Sequence, residues 1–482
     1  MTSTTDATGA SGTATPPTGA ADAAAGVAPL TEADVARLRA DFPALDQEVS
    51  GQPLAYLDSG ATAQRPRSVL DAERAFLETT NSAVHRGAHA LAALATEAYE
   101  EAREEVAAFV GGSADEIVWT ANATDALNLV AHGFLAATLG RGGDAAAPFR
   151  MREGDEIVVT EAEHHADLVP WQELAATTGA VLRWVPVDDD GLWTAEDAAA
   201  VIGARTRVVA FAHVSNVTGM VAPVEEVVAL AHAVGAVVVL DACQSAPHRP
   251  LDLPALGVDL AAFSGHKMLG PTGIGVLWGR AELLRAMPPF RTGGSMISTV
   301  TMESSDYLPA PQRFEAGTQP VSQAVALAEA VRYLRAVGLD RVRDHEEALA
   351  ERLVRGLAAI EGVRVVGPPA GVPRSGLASF VVDGVHAHDV GQYLDALGIA
   401  VRVGHHCAQP LHRRLGVTAT TRASTYLYTT EAEVDRLLEG VAAVRPYFGV
   451  VDGGLAAGGA GAGAGGAGIV ATSDVAIDGS VA

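Results

Sequence analysis

The chain is 482 residues long, 49% hydrophobic, and carries a formal net charge of −25 at pH 7, enough chain for a large core in two or three domains. So acidic a balance excludes nucleic acid and an anionic membrane surface as main partners, and no run is apolar enough to span a bilayer. Two cysteines, Cys243 and Cys407, make no disulfide framework, which points to a reducing cytoplasm.

Residues 1–29 are rich in Thr, Ala, Gly and Pro, with neither a basic start nor an apolar signal core, and are expected to be a disordered tail. The Gly/Ala-rich stretch 449–482 is expected to behave alike. Between them, β-rich runs recur at 117–120, 157–160, 208–212, 236–240, 258–263 and 274–278, most alternating with helical stretches such as 97–109 and 224–234. This alternation predicts a mostly parallel sheet with helices on both faces, whose ligand crevice lies beyond the carboxyl ends of the strands. The residues just after each run are therefore the ones placed to meet a ligand.

The first run leads through Asn122, Ala123, Thr124 and Asp125 into a helical pattern at 126–134. A threonine at a helix N-terminus is either a phosphate site or an ordinary cap. After the second run come Glu163, His164, His165, Ala166 and Asp167, where an imidazole can lie on a planar cofactor or serve as acid or base; the spacing fits no zinc template, and no metal is expected. The third run ends in His213, Val214, Ser215 and Asn216, a donor for a ring oxygen or a turn-former.

The fourth run ends in Asp241, a carboxylate costly to bury unless a cation meets it. A pyridinium nitrogen is such a cation, and an arginine salt bridge is the alternative. Cys243, just beyond, has the character of a small packing residue, and Gln244 comes next. The fifth run delivers Ser264, Gly265, His266 and Lys267, with Gly270, Pro271, Gly273 and Gly275 behind them. Lys267 is the single lysine of the chain. Arginine serves for charge and phosphate contacts, so the task that retains a lysine is amine chemistry, Schiff-base formation above all. Together the strand ends describe a pyridoxal phosphate site.

Beyond residue 309 a long helical stretch at 323–357, strands at 363–366 and 377–382, a helix at 389–397 and a strand at 399–403 predict a second, smaller α/β domain ending near Tyr447. Its most informative stretch is Arg402-Val-Gly-His405-His406-Cys407-Ala408-Gln409-Pro410, a polar, glycine-led setting that favours thiolate. Arg422 lies a little further on, with the fork geometry that holds a carboxylate.

Ser264-Gly-His-Lys267 with Gly270-Pro-Thr-Gly-Ile-Gly275, Glu163-His-His-Ala166, His213-Val-Ser-Asn216, Arg313-Phe-Glu-Ala-Gly-Thr318 and Arg402-Val-Gly-His-His-Cys-Ala408 resemble the motifs of group II, SufS-type cysteine desulfurases in the class V aminotransferase family of PLP enzymes. The resemblance runs from about residue 30 to 447. It implies an α/β protein of the PLP-dependent transferase fold type I, with a mostly parallel seven-stranded sheet in a large domain. Residues 30–50 would be an N-terminal segment packing with the small domain, 51–334 the large PLP-binding domain, and 335–448 the small C-terminal domain carrying the Cys407 loop.

The resemblance further implies a cytoplasmic homodimer that converts L-cysteine to L-alanine, captures sulfur as a persulfide on Cys407 and passes it on for iron–sulfur cluster assembly. Lys267 would bind the cofactor covalently, with Asp241 on the ring nitrogen, His164 stacked on the ring, and Asn216 and Gln244 near the phenolic oxygen. Thr124, Ser264 and His266 would hold the phosphate, helped by Gly294 and Thr318 across the dimer. His85 and Arg86 would approach the partner's site, with Arg422 and Arg402 near the substrate. His388, in His386-Ala-His-Asp389, would meet a zinc-containing SufU-type sulfur acceptor. A selenocysteine lyase and a non-catalytic sulfur-handling subunit are the alternatives. The stretch 139–151 is longer than the resemblance requires and is expected to be a surface loop.

Overall fold

The computed structural model describes residues 28–450, so the tails expected at 1–29 and 449–482 lie outside the described residues except for two positions each. Its centre is a seven-stranded sheet in the spatial order Ile117–Thr120, Gly275–Gly279, Leu260–Ser264, Val237–Asp241, Thr206–Ala212, Glu156–Thr160, Val181–Val185. Gly275–Gly279 runs antiparallel to both neighbours; the remaining pairs are parallel. Val237–Asp241 and Leu260–Ser264 are buried at every position, as continuous apolar runs covered on both faces must be. Their side chains alternate: Val238, Leu240 and Phe263 enter one core cluster, Val239 and Ala262 the other.

Six of these strands match the predicted runs to within two residues. The seventh, Val181–Val185, escapes the hydrophobic pattern because it is an edge strand: Arg183 interrupts it and Trp184 is 56% exposed. The predicted helix at 323–357 is two helices, Val321–Val337 and Leu339–Ala358. They break at Gly338, whose φ of +91° is a conformation glycine adopts without Cβ strain. The first packs on helices Arg67–Thr79 and Ala90–Phe109, the second on the C-terminal helix Glu431–Tyr447.

The predicted strand at 399–403 also divides. Ile399–Ala400 pairs in parallel with Ala55–Tyr56, whereas Arg402–Gly404 pairs antiparallel with Thr420–Ser424 in a four-stranded sheet. Ala55 and Leu57 thereby join the C-terminal core, and Asp58 bridges to Ser424. The stretch 139–151 is not a free loop. A 3-10 helix, Gly143–Phe149, buries Ala146 and Phe149, and the Phe149 ring sits 5.0 Å from that of Phe134. The entering chain lies between the two layers: Phe42 packs edge-on against Tyr333 and Tyr428, and Arg39 pairs with Glu433 at 2.9 Å.

Candidate active site

The carboxyl ends of the central strands face the four-stranded sheet across a cavity of about 540 Å³. The large sheet lines it with Thr124, His164, Asn216, Asp241, Gln244, Ser264, His266 and Lys267, and the other wall contributes Arg402, Cys407 and Arg422.

Asp241 accepts the Cys243 backbone N–H at 2.9 Å and, among the described residues, forms no salt bridge; the arginine partner that the sequence left open is absent there. Lys267 likewise forms no salt bridge among them. His164 Nδ1 accepts the Ala166 N–H at 3.1 Å, and burial together with the Lys267 charge pushes its pKa down to about 4, leaving a flat, neutral ring at pH 7. His266 is pushed to about 4 by burial and Lys267, its Nδ1 lying 3.3 Å from Thr62 Oγ1. Ser264 Oγ accepts the Ala123 N–H at 2.9 Å, which leaves its own hydrogen free to donate at the start of helix Ala123–Thr138. An unpaired carboxylate, an unpaired amine, a neutral imidazole, free hydroxyls and a helix N-terminus fit a planar phosphorylated cofactor with a basic ring nitrogen and a carbonyl carbon. Cys243 is buried, and burial and Asp241 push its thiol far above the ordinary range, in keeping with a packing role.

The opposite wall is built otherwise. His406 and Cys407 both have left-handed backbones, φ +50° and +57°, which costs a non-glycine residue roughly 1–3 kcal/mol. Bonds from several elements hold them there. Asn216 Nδ2 donates to His406 O at 2.7 Å, His165 N to Cys407 O at 2.6 Å, and Gln409 N to His165 Nε2 at 3.1 Å, while His406 Nε2 meets Thr420 Oγ1 at 2.8 Å. The Cys407 side chain remains exposed.

Arg402 grips Asp58 with two nitrogens at 3.2 and 2.6 Å, so much of its charge is spent. Arg422 is buried, donates to Asn216 O at 2.9 Å, and lies 3.7 Å from the same Asp58; its Nε is buried without a partner. Burial lowers its pKa to about 10, which still leaves it cationic at pH 7 and the better seat for a carboxylate. Asn216, offered by the sequence to a ring oxygen or a turn, commits one amide hydrogen to the Cys407 loop. Gln244 Nε2 is committed to Gly60 O at 2.8 Å.

Five expected residues lie outside this cavity. His85 Nε2 meets Glu100 at 2.8 Å, and Arg86 donates to Ile297 O at 3.1 Å. Gly294 O accepts from Gly317, and Thr318 lines a neighbouring cavity of about 230 Å³. His388 is exposed at the start of helix Ala387–Ala396. Sequence reasoning missed Asp58, whose value arises from two arginines more than 340 residues away. Its one local signal was a carboxylate closing the short apolar run 54–57.

The aminotransferase class-V family model matches residues 55–437. A probable cysteine desulfurase 2 of Mycobacterium leprae is 58% identical, covering 87% of this chain and 99% of its own. Among solved structures, the Escherichia coli cysteine desulfurase CsdA aligns with a TM-score of 0.76 at 38% identity, over 86% of this chain and 98% of that one. A mutant of C-DES with glycine covalently linked to the PLP cofactor aligns with a TM-score of 0.70 at 26% identity, over 84% and 98%.

Proposed function

We propose, for a chain that belongs to the class-V aminotransferase family and is one of its cysteine desulfurases, that Lys267 and Cys407 divide the reaction between the two walls of the cavity. The observation that carries this is their convergence: the single lysine and an exposed cysteine on a strained, bonded loop line one cavity.

Bound pyridoxal phosphate supplies an electron sink for the α-carbon of the amino acid. Lys267 Nζ is the residue that would hold the cofactor's carbonyl carbon, and its amine would move the α-proton of the substrate. Asp241 would keep the ring nitrogen protonated, His164 would meet the ring as a neutral imidazole, and Asn216 and Gln244 would serve the phenolic oxygen. Thr124, Ser264 and His266 hold the phosphate. Arg422 seats the substrate carboxylate, with Arg402 as its neighbour over Asp58.

Cys407 Sγ, as thiolate, bonds to the substrate sulfur while the carbon–sulfur bond breaks and its electron pair stays with carbon. The net change is cysteine plus the Cys407 thiol giving alanine plus a Cys407 persulfide, with no outside oxidant. The persulfide sulfur then leaves to an acceptor for iron–sulfur cluster assembly. The short Cys407 loop supports the group II, SufS-type assignment, and a reducing cytoplasm keeps its thiol free.

The same proposal includes a homodimer in which Gly294, Thr318, His85 and Arg86 serve the partner's cavity. Their position outside their own cavity supports it, as do exposed Leu77, Leu91 and Leu94, 51%, 46% and 50% accessible, on helices Arg67–Thr79 and Ala90–Phe109. A zinc-containing SufU-type acceptor docking at His388 is supported by that residue's exposure at a helix start.

Peptide mass spectrometry after brief exposure of the holoenzyme to L-cysteine without reductant tests the division of labour. One added sulfur on the Cys407 peptide, and none on that of Cys243, is the expected outcome. Alanine formed with no sulfur on Cys407 would overturn it.

A further inference from the structure

Behind Asp241, away from the cavity, lie two more acids. Glu163 is 2% exposed and Asp167 is fully buried. Glu163 accepts the Thr160 hydroxyl at 2.5 Å and the Ala212 N–H at 2.9 Å, and Asp167 Oδ1 accepts Trp171 Nε1–H at 2.9 Å. The other Asp167 oxygen, Oδ2, is buried with no donor, and the two carboxyls lie within hydrogen-bonding reach of each other. Among the described residues, neither forms a salt bridge with an arginine, lysine or histidine.

Two touching carboxylates in a dry site without a cation cannot both stay ionised. A proton between them removes the conflict and also accounts for the orphan oxygen, since Oδ2 then becomes a donor rather than an unmet acceptor. Thr160, Ala212 and Trp171 suffice as donors for the one negative charge left on the pair. Burial and the nearby Asp241 raise both acids' pKa values, and the Glu163 charge raises that of Asp167 further, while the bond from Asp167 favours the ionised Glu163, in the same direction as the geometry.

We propose that Glu163 and Asp167 share a single proton, donated from Asp167 to Glu163, and that the pair is a positioning element for Asp241, holding the charge behind the ring-nitrogen site constant. The second half rests on the assignment of Asp241 to the ring nitrogen; the first half does not. The groups facing the pair are Asp241, from strand Val237–Asp241, and beyond it His164 and Lys267. In Asp167→Asn an amide N–H replaces the acid O–H with the charge unchanged. Glu163→Gln reverses the donor and again keeps one charge. The double variant removes it.

Infrared difference spectra of the apoprotein in heavy water at pH 7, wild type minus each single variant, test the shared proton without the cofactor. One neutral-acid carbonyl band, present in wild type and lost in either variant, is expected, and its absence from both differences would overturn the sharing. Absorbance titration of the holoprotein tests the positioning role. The single variants should titrate with wild type, and the double variant should shift by about one pH unit. Single variants that shift about half as far as the double would show two charges rather than one and overturn the proposal. With the infrared band intact but all titrations coincident, the proton sharing would stand and the assignment of Asp241 would fall.

Discussion

Lys267 and Cys407 line one cavity from opposite kinds of backbone. Lys267 follows a strand buried at every residue, and around it His164 and His266 are held neutral by burial and by its own charge. Cys407 sits on an exposed turn with two successive left-handed residues, and its conformation depends on bonds from Asn216, His165 and Thr420. The difference suits the chemistry proposed for the two groups. Proton transfer at carbon requires fixed protonation states in a dry site, whereas a sulfur carrier has to reach the substrate inside and an acceptor outside. The same thiol on the sheet wall, like Cys243, is pushed far from reactivity by burial.

Removing each wall's reactive group should separate the two kinds of damage. If Lys267 has the roles proposed for it, Lys267→Ala removes both the covalent hold and the proton carrier, so alanine formation should fall by about 10³-fold or more, with loss of the cofactor's lysine-bound absorbance. Cys407→Ser should lower sulfur delivery by roughly 10²-fold while leaving that absorbance intact. A Cys407→Ser protein whose cofactor spectrum also changed would mean that the walls are not independent.

Asn216 is where they meet, since its amide reaches from a strand end to the His406 carbonyl. Asn216→Ala should release the loop by about one hydrogen bond, ~1 kcal/mol. Faster alkylation of Cys407 and a several-fold lower kcat are expected, and an unchanged alkylation rate would show that the strained turn holds without it.

The sheet wall was legible in the sequence because each functional residue closes a run of apolar residues that names its own strand. Asp241 after Val237 to Leu240 and Lys267 after the 258–263 run needed no tertiary information. Cys407 stood out by its glycine and histidine neighbours, but what holds its loop did not, because Asn216, His165 and Thr420 reach it from other elements of the fold. For the same reason Asp58 was missed and Arg402 was offered to the substrate, although Asp58 takes its two nitrogens. The break at Gly338 and the division after Ala400 were hidden by unbroken helical and apolar patterns, since only packing decides which layer each half joins.

The variant with the smallest effect on activity tests the dryness that separates the walls. His213 continues the Thr206–Ala212 strand, donates its N–H to Asp241 O at 2.9 Å, and has a buried Nδ1 without a partner. Burial, reinforced by Arg249, pushes its pKa down to about 3. A neutral folded histidine and an unfolded one that protonates below about 6.5 mean that unfolding takes up a proton in acid. The contribution to stability is therefore fully present above about pH 6.5 and is lost as the pH falls from there toward 3. His213→Asn removes that titration. At pH 7 the variant should turn over cysteine much as wild type does, but the stability gap between the two proteins should change by about 1.4 kcal/mol per pH unit between pH 6 and 4, in the direction that costs the wild type. Denaturant melts at three pH values measure it. A gap independent of pH would mean that water reaches His213, and with it the strand end that carries Asp241, and the contrast between a dry sheet wall and an open loop wall would then fail at its driest point.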